Sequence, residues 1–130
     1  MKEFPINFTA PMIRAILEGR KTQDRRIVAP SYLPWIEDSL KAFKAGNWDQ
    51  RRVPFGHAGD RLWVREAWRV DKAMDDKQPS MINKCPVQYM ATRDIEKHGA
   101  LSGNTDGKIR NSINMPRWVS RIELDITDVR

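Results

Sequence analysis

The stretch Arg61-Leu62-Trp63-Val64-Arg65-Glu66-Ala67-Trp68-Arg69-Val70 sets the tightest limit on how this chain folds. Its period is two. Leu62, Val64, Trp68 and Val70 fall on one face, and Trp63, Arg65, Ala67 and Arg69 on the other. That alternation belongs to a half-buried strand, with Gly59-Asp60 as the turn leading into it. Glu66 breaks the pattern, because it falls on the apolar face. A lone buried carboxylate is costly, so Glu66 must have a partner. Two roles are open for it. It is swung out by a bulge or buried in an ion pair with an arginine, or it is a cleft carboxylate that serves acid–base chemistry or holds a base edge.

The rest of the chain supplies elements to set around that strand. Phe4, Ile6 and Phe8 alternate with Pro5 and Asn7, which predicts a short first strand. Thr9 stands where a cap belongs and Pro11 where a first helical turn tolerates it. Met12, Ile13, Ile16 and Leu17 make one helical stripe, and Gly19 stops the helix. A second amphipathic helix is predicted from about Trp35 to Lys44, followed by a loop over 46–58 that exposes Arg51 and Arg52. Residues 71–85 read as loop, Val87 to Ala91 as a short strand, and 92–114 as an excursion rich in glycine. Trp118, Ile122, Leu124 and Ile126 mark a last strand, with Trp68 and Trp118 expected in the core. Two helices in the amino-terminal half and several short strands predict one α+β domain over residues 1–130, built on a small, mainly antiparallel sheet or barrel.

Composition narrows the function classes. The chain has 130 residues, of which 40% are apolar, enough for a core without staples. No run approaches the roughly 18 apolar residues of a membrane span, and no secretory signal is read at Met1-Lys2-Glu3-Phe4. Cys85 is the single cysteine, and His57 and His98 are the two histidines. That excludes an intrachain disulfide framework and a multi-cysteine zinc site, and neither a metal centre nor a cofactor is expected. A reducing, cytoplasmic setting follows as the expectation. The net charge is +6, from 23 Lys and Arg against 17 Asp and Glu, and 14 of the basic residues are arginine. Residues 1–70 carry 13 basic and 8 acidic side chains, whereas 71–130 carry 10 and 9. A basic half rich in arginine is consistent with a nucleic-acid partner and equally with a solvated basic surface.

Four pieces, in order, carry a resemblance. They are Gly19-Arg20-Lys21-Thr22-Gln23-Asp24-Arg25-Arg26, Gly59 through Glu66, Tyr89-Met90-Ala91-Thr92, and Met115-Pro116-Arg117-Trp118-Val119-Ser120-Arg121-Ile122. From about Phe8 to Val129 the chain resembles the ASCH domain, a branch of the PUA-like β-barrel superfamily, in its phage and prophage subgroup. The resemblance implies a small open or closed barrel with a cleft beside the first helix. It also implies RNA binding, or, in enzymatic members, amidohydrolysis of acylated cytidine or cleavage of RNA. In amidohydrolase-like members the cleft chemistry falls to a lysine and a threonine of a Gly-x-Lys-Thr-x-Thr element and a later glutamate. Lys21 matches the lysine, Asp24 stands at that threonine's position, and Glu66 is the candidate glutamate. With Asp24 there, Thr22 is the nearest remaining hydroxyl. Members of this subgroup usually run on beyond Ile-Thr-Asp-Val-Arg, so the resemblance implies a shortened member or an open sheet edge covered by a second copy in a homodimer.

Lys21, Glu66 and Asp24 are therefore the catalytic candidates. Arg20, Lys21, Thr22, Arg25, Arg26, Trp63, Arg65, Arg117 and Arg121 are the candidates for holding RNA or a nucleotide-like ligand, with Trp63 stacking a base between guanidinium groups. Each also has a structural role open to it. Lys21 can satisfy the last carbonyls of the helix, Asp24 can close a turn or pair with Lys21 or Arg26, and the arginines can form a solvated face. The cleft reading requires Lys21 and Glu66 to share one pocket. A small nucleoside hydrolase, a ribonuclease and a prophage interaction module with an empty cleft are the competing classes.

Overall fold

The computed structural model describes residues 1–26 and 56–128. Within them the order is β1 (Glu3–Asn7), α1 (Ala10–Leu17), β2 (Arg61–Arg65), β3 (Trp68–Arg69), β4 (Val87–Tyr89), β5 (Ile95–Glu96) and β6 (Glu123–Asp125). The helix predicted from Trp35 to Lys44, and Arg51 and Arg52, lie outside the described residues. No helix among the described residues is long and apolar enough to cross a membrane.

Two three-stranded sheets result, ordered β1-β2-β6 and β3-β4-β5. β1 runs parallel to β2, and the other three pairings are antiparallel. The fold is thus α+β and mainly antiparallel, as expected, but among the described residues the strands do not close into a barrel. The long strand predicted over Arg61–Val70 divides at Glu66-Ala67. On one side of the break the Arg65 carbonyl accepts from Phe8 N–H at 3.0 Å. On the other the Ala67 carbonyl accepts from Met90 N–H at 3.1 Å. The alternation survives the division: Val64, Glu66, Trp68 and Val70 are all buried, while Trp63, Arg65, Ala67 and Arg69 are partly exposed. Side-chain facing is local and persists, whereas the hydrogen-bonding partner changes sheets.

The inner face of the first sheet supplies one core. Ile6, Phe8, Val64 and Ile122 pack with Ile13 of α1 and with Ala91. A second core gathers Trp68, Val70, Ile82, Val87, Tyr89, Met115 and Val119 beside the other sheet, with Trp118 packed partly buried against it. The helix begins and ends close to expectation, though Thr9 makes no side-chain cap bond and Leu17 is exposed. Gly19, at φ 75°, turns the chain, so that Arg20 N–H and Lys21 N–H both donate to the Ala15 carbonyl at 2.9 and 3.1 Å. The excursion over 92–114 carries more structure than predicted. It includes β5, a 3-10 turn at Ser112–Asn114, and Arg110, which pairs its backbone with Trp68. Likewise the predicted last strand is ordered as a 3-10 turn, Arg117–Val119, before the three residues of β6.

Candidate functional site

The segment that leaves α1 folds back over Phe8. Lys21 Nζ sits 5.7 Å and the Arg26 guanidinium 5.3 Å from the Phe8 ring centroid. Between these cations lies Asp24. It receives Lys21 Nζ at 3.2 Å and Arg26 Nε at 2.6 Å. Lys21 also donates to the Gln23 carbonyl at 2.7 Å. Partial burial raises the Asp24 pKa, but the bonds from Arg26 and Lys21 outweigh it and hold the carboxyl below the usual aspartate range. Arg26 is further anchored to the Asn7 carbonyl. Arg20 pairs with Glu18 at 2.6 Å, while Arg25 is exposed and makes no ion pair or hydrogen bond among the described residues.

Beside this segment an open concavity of about 470 Å³ runs along α1. Pro11, Met12 and Ala15 give it an apolar wall, and Arg20, Lys21, Thr22 and Gln23 give it a polar one. Three of the residues singled out in the sequence therefore meet at one opening. The apolar wall is not legible in the sequence, because Met12 reads as core on helical periodicity. Phe8, the aromatic support of the two cations, reads only as a strand residue.

Glu66 is not at that opening. It is 1% exposed and pairs with Arg121 through two bonds, Arg121 Nε to Oε2 at 3.1 Å and a terminal nitrogen to Oε1 at 2.9 Å. Burial works against the Arg121 charge, and the Glu66 bond outweighs it, so the guanidinium is held charged. Arg121 also lies 4.3 Å from the Tyr89 ring centroid and reaches Asp94 at 3.5 Å. No hydrogen bond or ion pair joins Lys21 to Glu66. The expectation of one pocket shared by the two is corrected on this geometry. A carboxylate on an apolar face is least costly where a bidentate arginine meets it, and Arg121 does so from beyond the strand.

Trp63, Arg65 and Arg117 form a third cluster, on the outer face of the first sheet. The guanidinium groups of Arg65 and Arg117 lie 5.7 and 5.8 Å from the Trp63 ring centroid. Arg117 is tied to Glu3 at 3.2 Å and Glu123 at 2.6 Å, and these bonds, Glu3 first, raise its pKa. Arg61 pairs with Glu123 and Asp125 on the same face. The outward register explains this closure, because Glu3, Arg61 and Asp125 stand opposite one another across the three strands, as do Trp63 and Glu123. Arg65 donates to the Ile113 carbonyl at 3.1 Å.

Behind Arg121 the buried Tyr89 hydroxyl donates to the Val119 carbonyl at 2.6 Å. Its single proton is thereby used, so the 2.8 Å contact to His98 Nε2 is one in which the imidazole donates. Burial, with Glu96 and Glu66 nearby, pushes the Tyr89 pKa far up. Burial lowers that of His98. No group of three or more His, Cys, Asp or Glu side chains able to hold a metal ion occurs among the described residues. Set against family models, curated proteins and solved structures, the chain matches none.

Proposed function

We propose that the chain is an ASCH-type, PUA-like domain that binds RNA or a nucleotide-like ligand in the concavity beside α1. The observation that carries this reading is the pairing of an apolar wall, Pro11, Met12 and Ala15, with the cations Arg20 and Lys21 across one opening. A base is accommodated against the apolar wall and its edge meets Thr22 and Gln23. Phosphates are met by Arg25, which has no carboxylate partner among the described residues, and by Arg20, whose pairing with Glu18 is open to solvent. Between Glu18 and Arg26 there are four cations and two carboxylates, which leaves a local net charge of +2. Such attraction weakens as salt rises, because bound counterions are released on contact with phosphate.

Fluorescence anisotropy of a labelled oligoribonucleotide, titrated at two salt concentrations, tests this. Binding that falls steeply with salt and weakens in Arg25→Ala and in Lys21→Ala is expected. Affinity indifferent to both salt and substitution would overturn the reading.

The hydrolase and ribonuclease readings need a free proton acceptor. Asp24 is engaged by two cations and Glu66 is sealed under Arg121, so binding has the better support. Release of free cytidine from its acylated form, lost in Lys21→Ala, would reverse that order. A melting temperature unmoved by any nucleotide or RNA would favour the interaction module.

A further inference from the structure

We propose a second anion site, for a singly charged phosphate group, in the concavity around Arg110. This opening measures about 480 Å³ and shares no residue with the one beside α1.

Arg110 is 7% exposed, and among the described residues no carboxylate lies within ion-pair distance of it. Its terminal nitrogens donate to the carbonyls of Met74 at 2.8 Å and Lys77 at 3.2 Å, and the guanidinium lies 5.5 Å from the Trp68 ring centroid. Those contacts satisfy two directions of the fork but bring no counter-charge, and Nε is buried with no hydrogen-bond partner. A buried guanidinium without an anion is costly, since its full charge has left water. Arg121, whose side chain is 7% exposed, has its carboxylate in Glu66.

Lys77 and Lys108 border the same concavity and add two exposed ammonium groups. Asp75 and Asp76 border it too. Asp75 accepts the Lys108 backbone N–H at 3.0 Å, and Asp76 is exposed. Three cations and two carboxylates leave a net charge of +1 around the opening. That balance suits one negative charge better than several, hence a phosphodiester or a dihydrogen phosphate ion rather than a polyphosphate.

The test is a titration of the full chain, labelled with nitrogen-15, by inorganic phosphate at low ionic strength and slightly acidic pH. The Arg110 Nε–H resonance and the amides of Lys77 and Lys108 are followed. They are expected to shift together and saturate in the millimolar range, with the half-saturation point raised roughly five-fold in Lys77→Ala/Lys108→Ala. Both residues are exposed, and neither side chain makes a hydrogen bond or ion pair among the described residues, so the variant is expected to keep the fold, which its amide spectrum verifies. An Arg110 resonance unmoved up to about 50 mM phosphate, or a half-saturation point unchanged in the double variant, overturns the proposal. A parallel titration with a short oligoribonucleotide separates the two sources of the group. Displacement of phosphate from Arg110 by the oligonucleotide supports a polynucleotide backbone. A response to phosphate alone supports the free ion, and it stands whether or not RNA binds near Lys21.

Discussion

Glu66 and Arg121 meet through a two-pronged hydrogen bond, at 2.9 and 3.1 Å, at the point where the chain leaves one sheet and enters the other. The carboxylate side chain is 2% exposed and the guanidinium side chain 7%. Removing one partner strands the other charge out of water. Glu66→Ala is therefore expected to cost about 3–5 kcal/mol of unfolding free energy. Replacing both by Leu and Met is expected to cost far less, since no unpaired charge remains. Urea denaturation of the single and double variants checks this. Equal losses in both would mean that the pair itself, and not the orphaned charge, carries the effect.

The His98–Tyr89 contact gives a pH dependence. Burial lowers the folded-state pKa of His98 below its ordinary value of 6.5, with Lys84 acting in the same sense and Glu96 opposing. The unfolded chain thus binds the proton more readily than the folded one. The neutral imidazole's contribution is fully present above about pH 6.5 and is lost as pH falls from there through the lower folded-state value. Melting temperature recorded from pH 7.5 downward is expected to decline over that window, and His98→Gln is expected to flatten this part of the profile.

Asp24 neutralises two of the cations nearest the proposed ligand. Asp24→Asn is expected to tighten oligoribonucleotide binding by about three-fold at low salt and to steepen the salt dependence, because the carboxylate that offsets the charge of Lys21 and Arg26 is removed. Anisotropy titrations of the variant at two salt concentrations are the check. Weaker binding would assign Asp24 a positioning role for Lys21 instead.

Gly19 closes α1 at φ 75°, and a Cβ built there would meet nothing within 4 Å. The cost of Gly19→Ala is then one of backbone conformation alone, about 1 kcal/mol, with Gly19→Asn costing less. A thermal or urea denaturation series over the three residues tests the ordering. A neutral Gly19→Ala would show that the left-handed turn is not required.

On the outer sheet face, Arg117 is held by Glu3 and Glu123, so its charge is spent within the molecule. Arg117→Ala is expected to change oligoribonucleotide affinity by less than about two-fold, in contrast to Arg25→Ala. A large loss of affinity in Arg117→Ala would move the proposed interface to Trp63.

What the amino-acid order determined by itself is local. Burial at Val64, Glu66, Trp68 and Val70 follows from a period of two, the end of α1 follows from Gly19, and the cationic run from Arg20 to Arg26 is contiguous. Such features depend on neighbours a few positions away, where backbone geometry dictates which side chains share a face. Tertiary structure decided the rest. The division of the strand at Glu66-Ala67, the choice of Arg121 as the partner of Glu66, and the pairing of Arg117 with Glu3 across 114 positions all depend on which segments meet. Periodicity carries no record of that meeting. A charge in the sequence becomes a binding group or a structural tie only when packing fixes whether an opposite charge lies within reach.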